Sequence, residues 1–585
     1  MIDATTQWLG PLAGPECRRA SRRGWLIWVR LLPAIAAGAV AFVALWVGEI
    51  GRAIDADHLP FAENRYALEL IEGMILACGM ILTPAVLAGS LAGEKERGSI
   101  GLLLTTRVNS LDVVLGRLAG RLSQVLLIEL AAVPVLLFFT TYSGLGWSAT
   151  LMAVALPMAV SFGGGGIALA ASAMSRRGRD ALLLVYLIYV LFLLSPLVGP
   201  SGPGWVGHLS PFEPLAALTW GEQAGPAATT ALAWTSLGLA GLALAAWRLR
   251  PSCLAEGPEA AGRKKARRKG WVPPIDDRPM LWKELYIERV GTLGRAGRWI
   301  GSGLVAWLVV GSLALAGVAA WDDFSGSDGS WTTWAVERQS AWYGRSSRPI
   351  AFLIVWAIGL RAAVAIASER ERGTWDALLT SPLEGSEIVR GKLWGSLYAL
   401  RWLIGSAVLA WGFAAAMGGL LVGEFVELIA GLVSVGTFMA AVGVRMSLRS
   451  ATATRAMGAT MGVWLGAYLL AKATAAVACV AVAIACVFGW LYSIQLGMVS
   501  YQSTPWFPMS FRLGSEIVFN GLFVASTILI VIETRLRFDR AAGRMTGGTA
   551  AVAVEQLIHG RPMAPVRAKA PEGARREAEA VERVG

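Results

Sequence analysis

Apolar runs of about 20 residues recur along nearly the whole chain, and a helix of that length crosses about 30 Å of hydrocarbon. Inside lipid the backbone must satisfy its own hydrogen bonds, so such runs fold as helices. The spacing predicts spans near 25–50, 69–92, 118–142, 148–174, 181–200 and 229–248. A second set follows near 298–320, 348–368, 393–417, 422–445, 454–487 and 512–534. Composition supports this reading: 55% of the residues are hydrophobic and only 16% charged, against about 25% charged in soluble domains. The 68 glycines suit a bundle whose helices must approach closely without a hydrophobic drive. The expected class is an all-α integral membrane protein of about twelve transmembrane helices, six in each half. The first run follows Arg18, Arg19, Arg22 and Arg23; it is too long for a signal peptide and reads as a retained helix.

A polar segment lies inside each half, and the two copies match. Residues 94–117 read EKERGSIGLLLTTRVNSLDVVLGR and residues 369–392 read ERERGTWDALLTSPLEGSEIVRGK. An offset of 275 aligns them without a gap, which marks a duplicated unit. Glu94/Glu369, Glu96/Glu371, Arg97/Arg372, Gly98/Gly373, Leu103/Leu378, Leu104/Leu379, Thr105/Thr380 and Gly116/Gly391 are identical pairs, and Ser99/Thr374 and Arg117/Lys392 are close substitutions. Further on, Met174-Ser175-Arg176-Arg177 aligns with Met446-Ser447-Leu448-Arg449 at an offset of 272, implying a three-residue slip between the halves.

The order of helix, E-R-x-x-G-T, L-L-x-[TS], acidic-x-x-x-G-[KR] and helix resembles the membrane subunits of type-2 (ABC-2) ABC exporters. The copy carrying Thr374, Pro382, Glu387 and Lys392 is the closer match; the first has Arg107 in place of the proline. The resemblance implies two parallel six-helix repeats fused in one chain, as in the membrane fold of type-2 exporters. It also implies that each loop carries a coupling helix docking on a separate ATPase, so that ATP and magnesium belong to that partner. The residues given this mechanical role are Glu94, Glu96, Arg97, Gly98, Leu103, Leu104, Thr105, Glu369, Glu371, Arg372, Gly373, Thr374, Leu378, Leu379, Thr380, Gly391 and Lys392. On this reading the leucines fill a partner groove and the charges supply ionic contacts. The competing interpretation is a solvated helix end with ordinary i, i+4 charge pairs.

Charge orients the chain. Arg176, Arg177 and Arg179, then Arg445, Arg449 and Arg455, and the run Arg263, Lys264, Lys265, Arg267, Arg268 and Lys269 all fall on the side of the repeated loops. Short cytoplasmic loops collect such residues. Both termini and both loops are therefore expected in the cytoplasm, with the protein in the inner (cytoplasmic) membrane. Expected boundaries are a first half over 1–248, a linker over 249–296, a second half over 297–536 and a disordered tail over 537–585. The basic linker is expected to touch anionic lipid rather than nucleic acid. Within it, Leu281, Trp282, Leu285 and Tyr286 share a face and Lys283, Glu284 and Glu288 do not, predicting an amphipathic helix at the interface.

Searches for chemistry find no catalytic residue. There is no G-x-x-x-x-G-K-[ST] segment to cradle phosphate, so ATP hydrolysis is expected only in a partner, with two copies expected. His58, His208 and His559 lack zinc spacing, and the five cysteines suggest no disulfide framework or metal site. Intramembrane charges mark ion paths when paired between repeats; Glu129 and Lys472 are the deepest and neither is repeated, while Glu424 and Glu427 lie near a boundary. Gly163 to Gly166 mark a close crossing or a hinge. The leading expectation is an exporter permease whose substrate the sequence leaves open. The alternative is an ATP-independent secondary transporter.

Overall fold

The computed structural model describes residues 25–54, 61–96, 98, 100, 108–193, 209–221, 224–254, 279–284, scattered positions from 303 to 325, 330–381, 383–416, 418, 420–495 and 507–542. Most of the expected span at 298–320 lies outside these residues, as do the three histidines, the basic run at 263–269, Cys17 and the side chains of Cys479 and Cys486. Every described element is helical, and no strand occurs among the described residues. In the first half these are α1 (Trp25–Ile54), α2 (Phe61–Leu87), α3 (Gly89–Glu96), α4 (Ser110–Tyr142), α5 (Trp147–Met174), α6 (Gly178–Leu193), α7 (Phe212–Gly221) and α8 (Ala224–Leu254). After α9 (Pro279–Trp282) come α10 (Ser330–Glu371), α11 (Trp375–Leu379), α12 (Gly385–Tyr398), α13 (Arg401–Ala416), α14 (Val422–Arg449), α15 (Ala453–Gln495) and α16 (Phe507–Leu536). Met1–Arg535 forms one compact unit; Leu536–Gly585 forms another, in which α17 (Phe538–Ala542) is the described helix.

Seven of the described helices are long and apolar enough to cross a membrane, or eight if α12 and α13, bent by 47°, form one span. The protein is thus a multi-pass helical membrane protein. The apolar part of α1, Arg30–Leu45, is shorter than these spans. α7 was not foreseen: it is only ten residues long and sits in what reads as a loop.

Glycine sets how closely the helices pack. A Cβ on Gly166 would lie 2.2 Å from the carbonyl oxygen of Gly238, and one on Gly163 would lie 2.4 Å from that of Trp234. These residues bring α5 and α8 backbone to backbone, as small residues do in lipid. Of the two readings of Gly163–Gly166, a close crossing or a hinge, the structure shows the crossing, and α5 runs unbroken through them. The glycines are there for the crossing, since a side chain at either position would strike the neighbouring main chain.

The two halves meet along α15, which lies against α1 and α2. Tyr186 of α6 stacks edge-on against Trp356 of α10 with ring centroids 4.7 Å apart, and Trp356 meets Trp464 of α15 at 6.1 Å. Glu129 is buried in α4, and the Ser161 hydroxyl donates to its carboxylate at 2.5 Å. That is a polar contact within the bundle. The Lys472 ammonium sits 4.4 Å from the centre of the Phe519 ring, a cation–π contact.

Candidate functional site: the repeated loops and their anchorage

Each loop begins where a long helix is stopped by a glycine. Gly373 has φ +69° and Gly98 φ +72°, a left-handed conformation that costs an L side chain about 1 kcal/mol or more. The Gly373 amide donates to the Arg370 carbonyl at 3.1 Å and the Thr374 amide to the Glu369 carbonyl at 3.0 Å. That pair of bonds is the Schellman stop, which satisfies carbonyls left open at a helix end. The Gly98 amide donates to the Lys95 carbonyl at 3.0 Å, the same bond one repeat earlier.

Beyond Gly373 the chain forms α11, a single short turn of helix. Its Trp375 and Leu378 are buried in the protein, and the Arg370 guanidinium lies 4.9 Å from the Trp375 ring centre. Asp376, Ala377 and Thr380 are exposed and Leu379 is half-buried. The expectation that both leucines face a partner is corrected for Leu378, which instead fastens α11 to its own bundle. α12 then starts with a capping box, Glu384 with Glu387, which pairs two open amides with two carboxylates. In the first loop Arg97, Leu103, Leu104 and Thr105 lie outside the described residues.

A buried ionic cluster holds this loop. Glu369 is 2% exposed and Lys392 0%. The Lys392 ammonium donates to Glu369 at 3.1 Å, and that of Lys283 donates to the same oxygen at 2.6 Å. Lys392 also pairs with Glu284, to which the Arg361 guanidinium donates at 2.8 Å, and the Thr374 hydroxyl donates to Glu369. Space for this comes from Gly391 and Gly395: Cβ atoms there would lie 2.6 Å from the Met280 Cβ and 2.7 Å from the Glu284 Cβ. The interface helix therefore buries Met280 and Glu284, one turn apart. This corrects the amphipathic reading, which turned Glu284 away from the buried face. A glutamate reads as a solvent residue until its cations, 77 and 108 positions away in the chain, are known.

The first half repeats part of the arrangement: Arg117 pairs with Glu94, positions that the 275 offset maps onto Lys392 and Glu369. The Gly178 amide acts on the Glu96 carboxylate, and Glu371 accepts a hydrogen bond from the Ala453 amide at 2.7 Å. Both therefore face the start of another helix of their own half. The Arg372 side chain is exposed on the loop.

The same offset governs the fourth span of each half. The Ser172 hydroxyl accepts from the amides of Leu91 and Ala92 at 3.1 and 2.9 Å. The Ser447 hydroxyl accepts from Ile366 and Ala367 at 2.9 and 2.8 Å. Ser175 and Ser450 each follow the last residue of their helix, with amides bonded to Ala171 and Met446. All these pairs are 275 apart, so the three-residue slip is wrong; the Met-Ser similarity was a chance match. Sequence reasoning missed Ser172, whose match to Ser447 appears only if the offset is held constant.

A multi-pass helical membrane bundle thus carries two loops that begin with the same left-handed glycine and are held by matching acid–base pairs. The chain belongs to the ABC-2 family: the family model described as "ABC-2 family transporter protein" matches residues 19–246 and again 299–500, more than half of the chain. The match falls into two stretches, one on each side of the linker. No curated protein matches the sequence.

Proposed function

We propose that the chain is the permease of an ABC exporter, driven by a separate ATPase that docks, in two copies, on the cytoplasmic face carrying the repeated loops. ATP and magnesium are held by that partner, and both termini lie in the cytoplasm. The observation that carries this reading is the attachment of α11. Its inner face is buried in the bundle, and the loop before it is tied through Glu369 and Lys392 to α9, α10 and α12. A push on such an element moves transmembrane helices rather than a slack loop. Asp376, Ala377, Thr380 and the half-exposed Leu379 form the surface offered to the ATPase, and buried apolar anchors dominate such interfaces. The mechanical residues are therefore Gly373, Thr374, Leu378, Lys392 and Glu369, which shape and hold the loop, with Leu379 as the contact.

The test is Leu379→Asp in the full chain co-expressed with its ATPase partner. We expect loss of partner pull-down and of ATP-dependent transport at normal membrane abundance. Retention of both would defeat the docking assignment.

A further inference from the structure

Two glutamates of the repeat, Glu96 and Glu371, lie at the junction of the two halves. Glu371 accepts from the Ala453 amide at the start of α15 at 2.7 Å, and the Gly178 amide at the start of α6 acts on the Glu96 carboxylate. A carboxylate there satisfies an open amide and opposes the positive end of the helix dipole. The two helix starts adjoin. A Cβ on Gly178 would lie 2.7 Å from the Thr454 hydroxyl oxygen, and one on Gly89 would lie 3.9 Å from the Thr454 Cβ.

Glu96 lies within reach of the Glu371 charge, and Arg177 and Arg179 of the first half also act on it. The Arg179 guanidinium approaches Glu371 to 3.8 Å, crossing from one half to the other. No matching crossing returns, because the offset puts Thr454 where Arg179 stands. The junction thus gathers two like charges, two helix starts and a cation supplied from one side.

We propose that Glu371, which caps α15 and pairs with Arg179 of the other half, and Glu96 beside the start of α6 are positioning residues of a gate that holds the starts of α6 and α15 together on the loop-bearing face. Each glutamate is two residues before its glycine stop, so displacement of either loop pulls on the helix start that it faces. Release of Glu371 from the start of α15 also draws it from Arg179, which makes opening concerted across the halves. This rests on the permease reading for its role in transport, while the lock itself can be tested without it.

The experiment uses the full chain in membranes, with its own five cysteines replaced and Gly89→Cys and Thr454→Cys introduced. The 3.9 Å separation falls in the Cβ range of a disulfide. After oxidation and protease cleavage within 249–296, a formed disulfide keeps the halves linked on a denaturing gel. Without nucleotide we expect efficient cross-linking in this background, and a drop of about fivefold for each of Glu96→Ala and Glu371→Ala, the factor matching an N-cap of roughly 1 kcal/mol. The paired Glu→Gln variant keeps an acceptor oxygen at each helix start but loses the Arg179 pairing, so its cross-linking falls less than that of the alanine pair. Arg179→Gln lowers it while the carboxylates remain charged and fails to do so in the Gln pair. Unchanged cross-linking in the alanine variants at normal abundance, or a Gln pair as defective as the alanine pair, overturns the gate. ATP added with the partner ATPase slows cross-linking in the parent. If it does not, the coupling under Proposed function is refuted, and the nucleotide-free arm alone judges the lock.

Discussion

Neutralising Glu369 is the sharpest test of how the second loop is held. Glu369 is 2% exposed and receives the ammonium groups of Lys283 and Lys392, the latter itself fully buried, together with the Thr374 hydroxyl. Glu369→Gln keeps the shape and removes the charge, leaving the Lys392 ammonium in the interior with one of its two carboxylates gone. Breaking a buried pair in this way costs about 3–5 kcal/mol. The corresponding pair in the first half, Arg117 with Glu94, has side chains 14% and 21% exposed, where solvent screening reduces the cost to about 1 kcal/mol. Equilibrium denaturation of the purified chain in mixed micelles measures both variants side by side. The expected gap is about 2–4 kcal/mol, with Glu369→Gln the worse. Adding Lys392→Met to Glu369→Gln should recover much of the loss, since the stranded ammonium is gone and the Glu284 carboxylate keeps Arg361 as its partner. Equal costs for Glu94→Gln and Glu369→Gln, or a double variant as unstable as the sum of the singles, would refute the buried-cluster argument.

Two further outcomes follow from the backbone. Gly373→Ala should lower stability by about 1 kcal/mol through its positive φ alone, because no atom lies within 4 Å of the added Cβ; a thermal melt of full-length protein reads this, and Gly373→Asn should lose less. Ser447→Ala removes the hydroxyl that accepts two consecutive amides and should cost about 1–3 kcal/mol, with Ser172→Ala alike and Ser447→Thr partly restoring stability in the same melt.

The membrane class, most spans and the repeat were legible because they are written in local runs and in a constant offset. The ends of α4, α5 and α14 fall within eight residues of their sequence-based boundaries. What stayed hidden depends on pairing across distance. Glu284 is polar and looks solvated, yet it is buried because Lys392 and Arg361 meet it from α12 and α10. Leu378 and Leu379 are adjacent and chemically identical, and only the helical turn of α11 sends one inward. Glu96 and Glu371 looked like docking charges, since nothing local says that the amides of Gly178 and Ala453 lie in front of them.

The duplicated frame also explains where the halves differ. Gly163, which lets α5 touch the α8 backbone, maps onto Phe438 in α14. A phenylalanine cannot enter a backbone-to-backbone crossing, and Phe438 instead meets Phe523 of α16 ring to ring at 4.9 Å. The second half places its close crossing elsewhere: a Cβ on Gly443 of α14 would lie 2.6 Å from the Ala362 Cβ and 2.9 Å from the Gly359 carbonyl oxygen of α10. The first half has Ala168 and Pro84 at the matching positions, so the two small faces that such a contact needs are absent there. The fourth span is therefore seated on the sixth in one half and on the second in the other. That second span, α10, is also the helix that ends in Glu369 and Glu371. In the second half the loop, the ionic cluster and the tightest helix crossing thus lie on one continuous element, and movement of the loop reaches α14 through packed backbone with no flexible joint between them.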